Sequence, residues 1–115
     1  EYEKISEAIL RVRERTSRGK INMNTNAGFT KGVKAIVDAG LDNMRVSVIS
    51  AVEETYNAYY RANYTLEDVK NSIRYAMEKG VYVSLNMLTF PGLNDREEET
   101  EKWLEFFKEL PVPMF

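Results

Sequence analysis

The sequence predicts an α/β fold, a partial (β/α) barrel of the TIM-barrel type in which parallel strands alternate with helices. Three observations predict it. Segments with the apolar spacing of helices alternate with short strand-like segments, a glycine follows each of three helices, and no hairpin turn joins two strands. A helix between every pair of strands is typical of a parallel sheet with right-handed crossovers.

Apolar residues spaced three and four positions apart predict four helices. These helices span about Glu3–Thr16, Lys31–Ala39, Leu66–Lys79 and Arg96–Glu109. Their apolar stripes are expected to face the core, including Val12 in the first helix and Leu104 in the last. A shorter helix is predicted at Val52–Tyr60.

Helix boundaries are predicted from capping residues. Thr65 followed by Asp68, and Asp95 followed by Glu98, each place a cap residue three positions before an acidic one, a variant of the capping box. Gly40 suits the left-handed residue that commonly ends a helix. The tail, with prolines at 111 and 113, is predicted to lead towards another strand.

Three strands are predicted, each with an apolar side and a polar side. They span about Lys20–Thr25, Met44–Ile49 and Val81–Leu88. Successive side chains of a strand point to opposite faces, so residues at every second position share one face of the sheet. The polar set comprises Asn22, Asn24, Asn26, Arg45, Ser47, Tyr82, Ser84 and Asn86.

This polar face predicts a cavity that holds a ligand. A buried amide without a hydrogen-bond partner costs about 1–3 kcal/mol, so a face with many amides and hydroxyls needs organised partners. A polar ligand in a barrel lumen supplies them; the alternatives are a face open to water and amides that bond one another. In parallel α/β folds, ligands bind beyond the carboxyl ends of the strands. Two roles stay open for Arg45, a ligand contact or an ion pair, and the tyrosines at 56, 59, 60 and 64 either stack on a base or pack over the rim.

Composition narrows the chemistry. The 115 residues are expected to form one domain over 1–115, and the net charge is −2 without a basic stripe for nucleic acid. The chain has no Cys and no His, which excludes a disulfide scaffold, a Cys/His zinc site, a thiol nucleophile and a histidine base within this segment. No stretch approaches the ~20 apolar residues that span a bilayer. A cytoplasmic location is expected.

Ordered stretches of the sequence resemble the middle of a radical S-adenosylmethionine (radical SAM) enzyme. The stretches are NMNTNAG, AGLDNMRVSVIS and YYRANYTLEDVKNSIRYAMEKGVYVSLNMLTFPGLNDREEETE. The resemblance covers nearly the whole chain, from the helix before the third barrel strand to the helix after the fifth. It implies an oxidoreductase in which a 4Fe–4S cluster binds S-adenosylmethionine and reductive cleavage yields a 5′-deoxyadenosyl radical.

The resemblance also implies roles for individual residues. The end of the third barrel strand maps to Thr25 with Asn24 and Asn26 beside it, the fourth strand contributes Ser47 with Arg61 beyond it, and the fifth contributes Asn86. These six are the implied cofactor-binding residues. No catalytic residue and no metal ligand are implied within this chain.

Departures from the family pattern are equally informative. The Cys-x3-Cys-x2-Cys loop and the Gly-Gly-Glu segment are absent, and thiolates hold iron–sulfur clusters. The chain is therefore interpreted as an inactive fragment of a larger radical SAM enzyme that acts on a small molecule or a peptide. The alternatives are a partial barrel that binds or self-associates through exposed edges, and an unrelated α/β barrel enzyme. Neither a nucleic acid nor a membrane is expected as a partner.

Overall fold

The computed structural model describes residues 2–114, and their side chains from residue 4 onward. In this range the elements are α1 (Tyr2–Arg15), β1 (Asn22–Thr25), α2 (Thr30–Ala39), β2 (Asn43–Ser47), α3 (Glu53–Tyr60), α4 (Leu66–Glu78), β3 (Tyr82–Asn86) and α5 (Glu97–Glu109). The predicted α/β class is confirmed. Each predicted helix and strand exists, and the strands are shorter by one to three residues than the sequence pattern indicated.

The three strands form one parallel sheet in the order β1-β2-β3. Strands that are consecutive in the chain are neighbours in the sheet, as in βα barrels, whereas the strand order of doubly wound sheets reverses. The tail continues this winding, because the Leu85 N–H donates to the Pro113 carbonyl at 2.8 Å and Leu85 forms a parallel bridge with Met114. The predicted approach of the tail to the sheet is confirmed.

One of the two capping predictions is confirmed. The Thr65 hydroxyl accepts from the Asp68 N–H at 3.1 Å, and the Asp68 carboxylate accepts from the Thr65 N–H at 2.9 Å, which is a complete capping box. The second prediction is wrong. Arg96 occupies the N-cap of α5 without a side-chain bond, and Asp95 instead accepts from the Gly92 N–H at 2.8 Å. The predicted cap residue, Asp95, instead stabilises a turn that precedes α5.

The core lies between one face of the sheet and the helices. Met44, Val46, Val48, Val83 and Leu85 all point to this face and all are buried. α4 packs against β3 and against α2, α1 packs against α2, and residues of α2 and α4 belong to the same buried cluster as these strand residues. Fully buried helix residues that complete the core are Val33, Ile36, Val69, Ile73 and Phe106.

Two predicted core positions are wrong. Val12 is 45% exposed and Leu104 is 59% exposed. α1 buries Ile9, whereas Val12 lies with Ile5 in an apolar groove of about 360 Å³ beside edge strand β1. Helical periodicity identifies an apolar stripe, but how much of a wide stripe becomes covered depends on the neighbouring elements.

Among residues 2–114, no helix is both long enough and apolar enough to cross a bilayer. The single-domain assignment of residues 1–115 and the cytoplasmic location stay predictions.

Candidate functional site

A small cleft lies beyond the carboxyl ends of β2 and β3. Its volume is about 180 Å³. The lining residues are Ser47, Ile49, Tyr59, Tyr60, Asn86 and Leu88. Ser47 and Asn86 are register partners, so a hydroxyl and an amide stand side by side at the last paired position of the two strands. Tyrosines from α3 form the opposite wall, and the result is a cleft with polar groups on the sheet and aromatic rings above it.

The polar residues of the strands form rows across the face that is turned away from the helices. Asn24 is the register partner of Arg45, which in turn is the partner of Ser84. Nearer the amino ends, the Asn43 amide donates to the Asn22 carbonyl oxygen at 2.6 Å. These residues border a second cleft of about 330 Å³. The predicted polar face therefore exists, and in this chain it is largely open, with one amide pair of the kind expected for self-satisfied asparagines.

Three of the six implied binding residues lie on this open face. Asn24 and Asn86 are exposed and Ser47 is half-buried, all three in the polar rows. Thr25 pairs with Val46 and lies on the opposite, helix-facing side, where its hydroxyl accepts from the Ala27 N–H at 3.0 Å. Strand alternation therefore separates Thr25 from Asn24.

The other two implied residues lie outside the strands. The Asn26 side chain accepts from the Gly28 N–H at 2.9 Å, in a turn directly after β1. Arg61 is the exposed C-cap of α3 and directly follows Tyr60 of the cleft. No finding tests the binding roles of the six residues, and those roles stay predictions.

Two non-glycine residues in the described part of the chain have left-handed backbones. Ala27 has φ 56° and Arg61 has φ 49°. This conformation costs roughly 1–2 kcal/mol for residues with a Cβ, and such strain concentrates at functional sites. Ala27 directly follows the implied binding residue Asn26, whereas Arg61 is itself an implied binding residue and adopts this conformation as the C-cap of α3.

The tyrosines of the cleft region pack on one another. The ring of Tyr56 is fully buried and lies 4.6 Å from that of Tyr60 and 6.3 Å from that of Tyr64, between centroids. Burial, with smaller effects of the neighbouring tyrosines, raises the pKa of Tyr60 to about 12. Burial also raises the pKa of Tyr56. Packing over the rim, one of the two predicted roles, is what the structure shows, and Tyr59 and Tyr60 still present surface to the cleft.

Tyr64 covers the turn after β1. A Cβ on Gly28 would lie 2.4 Å from the Tyr64 ring, closer than any real carbon contact. Glycine is therefore required at position 28 for the ring to pack on the backbone. Nothing local in the sequence indicates which ring lies over this glycine.

Sequence reasoning also missed three buried polar residues at this edge. Asn94, 5% exposed, bonds the backbone beyond both β2 and β3. Ser50 is fully buried and donates to the Glu99 carboxylate, which is 3% exposed, while its oxygen accepts from the Val52 N–H at 2.9 Å. No local pattern in the sequence indicates the Ser50–Glu99 bond or the Asn94–Ile49 bond, because the partners are distant in sequence.

The side chains of residues 4–114 do not fit a metal centre. No three His, Cys, Asp or Glu side chains come together there in a way that would hold an ion. The whole sequence contains no cysteine. Thiolates are the usual ligands of iron–sulfur clusters, so a cluster has no ligand set in this chain.

The fold is a parallel α/β unit with a candidate site at the carboxyl ends of the strands. Residues 1–104 match the radical SAM superfamily, and the chain belongs to that superfamily. It is also similar to a protein named "Probable GTP 3′,8-cyclase" from Methanothermobacter thermautotrophicus, with 37% identity over 79 residues. The aligned region is 67% of this chain and 26% of that relative, so the chain spans about a quarter of the relative's length. The predicted family resemblance is confirmed.

Proposed function

We propose that this chain is the S-adenosylmethionine-binding middle part of a radical SAM oxidoreductase, and that the cleft at Ser47 and Asn86 receives the adenosyl part of the cofactor. The observation that carries the proposal is the cleft itself, at the strand ends of a chain that belongs to this superfamily. Its paired hydroxyl and amide suit the ribose and the base edge. The rings of Tyr59 and Tyr60 suit the apolar surface of a purine.

The residues fit one cofactor and not the other. Ser47 and Asn86 would hold the nucleoside through hydrogen bonds. Asn24 lies on the same face of the sheet, whereas Thr25 faces the helices and Asn26 lies in the turn after β1. The exposed Arg61 guanidinium would bind a carboxylate. Together with an iron–sulfur cluster, bound S-adenosylmethionine supplies an adenosyl radical for hydrogen abstraction. The cluster ligands would have to come from outside these 115 residues.

From this it follows that the chain alone is inactive in reductive cleavage. Its role is to bind and orient the nucleoside and to form one wall of a closed (β/α) barrel. The sequential order β1-β2-β3 and the bridge from β3 to residue 114 agree with continued barrel winding. The substrate of the larger enzyme is a small molecule or a peptide.

A second candidate function, self-association, is supported by one specific observation. The groove that contains Ile5 and Val12 is almost entirely apolar and borders β1, whose outer edge has no strand partner among residues 2–114. Unpaired strand edges are templates for pairing with another chain. A concentration-dependent increase in mass by sedimentation would support this alternative.

Binding is tested by titrating S-adenosylmethionine into the ¹⁵N-labelled chain. We expect amide shifts at Ser47 and Asn86, and about fivefold weaker binding for Ser47→Ala, since a neutral hydrogen bond contributes about 1 kcal/mol. Ser17→Ala, which removes an exposed hydroxyl far from the cleft in sequence, is the matched control and should bind like wild type. Absence of shifts in the wild-type chain, or equal affinity of the Ser47 variant, would contradict the proposal.

Inactivity is tested separately by anaerobic reconstitution with iron and sulfide. We expect no charge-transfer absorption from a protein-bound cluster, because thiolate ligands are absent. A stable cluster on this chain, or deoxyadenosine formed by it, would overturn the inactive-fragment part of the proposal.

A further inference from the structure

Asn94 joins the two walls of the cleft. Its side-chain amide donates to the Ile49 carbonyl at 2.9 Å and to the Leu88 carbonyl at 2.8 Å. Its oxygen accepts from the Phe90 N–H at 2.7 Å. Both N–H donors of the amide are therefore used, and the side chain is 5% exposed. A single buried group thus makes three hydrogen bonds to three backbone positions.

The bonds of Asn94 begin where the strand ladder stops. The register of β2 and β3 ends at Ser47 and Asn86, and the Val48 N–H makes the next backbone bond, to the Asn86 carbonyl at 3.1 Å. Beyond this point the segments that follow β2 and β3 diverge into different loops. Ile49 and Leu88 are the first residues past it that line the cleft. Asn94 takes over the role of the ladder at this level.

We propose that Asn94 is a positioning residue that sets the width of the cleft. It holds the Ser47–Ile49 wall against the Asn86–Leu88 wall without lining the cleft itself. The inference deepens the proposed function in that the cleft is the nucleoside site, but the clamp is a property of this chain and is measurable without a ligand.

The chemistry of the side chain predicts which replacements fail. Asn94→Asp preserves the shape but replaces two N–H donors with an acceptor, so a carboxylate would face two carbonyl oxygens. The bonds to the Ile49 and Leu88 carbonyls are both lost, and the buried Ile49 carbonyl then lacks this partner. Asn94→Ala removes these two bonds and also the bond from the Phe90 N–H, but adds no repulsion. The loosening of the two cleft walls should therefore be larger for Asn94→Asp than for Asn94→Ala, although Asp is closer to Asn in size than Ala is.

The ligand-free test is hydrogen exchange on the 115-residue chain. In Asn94→Asp we expect exchange at the Val48 amide to accelerate by about tenfold or more relative to wild type, whereas the Phe90 N–H keeps a side-chain oxygen as its acceptor and should stay protected. The Tyr82 N–H, bonded to the Asp42 carbonyl at 2.9 Å at the other end of the sheet, is the internal reference. Its exchange should change only as much as global stability does.

Two control variants separate a clamp from a general loss of stability. Ile36→Val, at a buried position of α2, lowers the stability of the fold, and Ile36 does not line the cleft. It should change exchange at all protected amides alike. Asn63→Asp introduces the same charge at an exposed position and should change neither amide. If Asn94→Asp accelerates Tyr82 as much as Val48, or accelerates neither, the clamp is overturned.

A ligand arm then connects the clamp to the site. If the wild-type chain binds S-adenosylmethionine, Asn94→Asp should weaken binding by about tenfold while Ile36→Val leaves affinity unchanged; equal affinities would overturn the positioning role. If the wild-type chain binds no S-adenosylmethionine, the proposed function fails, and the exchange pattern at Val48 and Phe90 alone decides the clamp.

Discussion

The two faces of the sheet are made by the same strands and yet differ in every physical respect. On the helix-facing side, Met44, Val46 and Leu85 are at most 1% exposed. On the other side, the alternating residues Arg45 and Asn86 are exposed to solvent. One face excludes water and the other is largely open to it, with Ser84 as a buried exception, although neighbouring residues along a strand are less than 4 Å apart between Cα atoms.

This difference teaches which residues carry stability and which are available for binding. Burial of an apolar side chain stabilises the fold by about 1.5–3 kcal/mol, whereas an exposed polar side chain contributes little. The open face is therefore able to vary in sequence without loss of the fold. The same strands thus provide a rigid support on one side and a chemically variable surface on the other.

The largest expected effect is the contrast between neighbouring residues of β3. Leu85→Ala, at a fully buried position, should lower the free energy of unfolding by about 3 kcal/mol. Asn86→Ala, the next residue on the open face, should change it by less than about 0.5 kcal/mol. Urea denaturation of both variants measures this. Similar losses of unfolding free energy for the two variants would contradict the proposed difference between the two faces.

A smaller effect is expected at the buried polar pair. Ser50→Ala leaves the Glu99 carboxylate and the Val52 N–H without the hydroxyl that bonds both, which should cost about 2 kcal/mol. The same change in a Glu99→Gln background should cost less, because no buried charge is then left without its partner. A double-mutant cycle of unfolding free energies measures the coupling. A coupling energy of zero would show that the hydrogen bond between Ser50 and Glu99 does not contribute to stability.

The smallest effect is a pH dependence on the cleft side. The pKa of Tyr60 is raised from 10.0 to about 12, so between these values the unfolded chain loses the phenolic proton while the folded chain keeps it. The contribution is complete below pH 10 and is lost as pH rises towards 12. Stability of Tyr60→Phe should therefore fall less steeply than wild type over this interval, by denaturant midpoints. Parallel curves would contradict the burial of that hydroxyl.

Much of the fold could be predicted because its signals are local. The alternation of Asn22, Met23 and Asn24 identified a strand with two unlike faces, and Thr65 with Asp68 identified the start of α4. Both patterns depend on residues a few positions apart. Val12, Leu104 and Asp95 were predicted wrongly because the outcome there depends on which element or turn lies beside them.

The candidate site was predictable in part for the same reason. Strand periodicity placed Asn24, Ser47 and Asn86 on one face. The same alternation places Thr25 on the helix-facing side, whereas the family resemblance groups it with Asn24 and Asn26. The role of Asn94 could not be predicted from the sequence, because its partners at Ile49 and Leu88 come together only when β2 and β3 pair.

The sequence by itself determined the class of fold, the family, the two-sided character of the strands and the absence of any thiolate for a cluster. These follow from composition and from patterns that repeat within one element. The tertiary structure alone decided the width of the cleft, the burial of Glu99 and Tyr56, and the need for glycine under Tyr64. Each of these depends on a contact between residues far apart in the chain, and no local preference encodes such a contact.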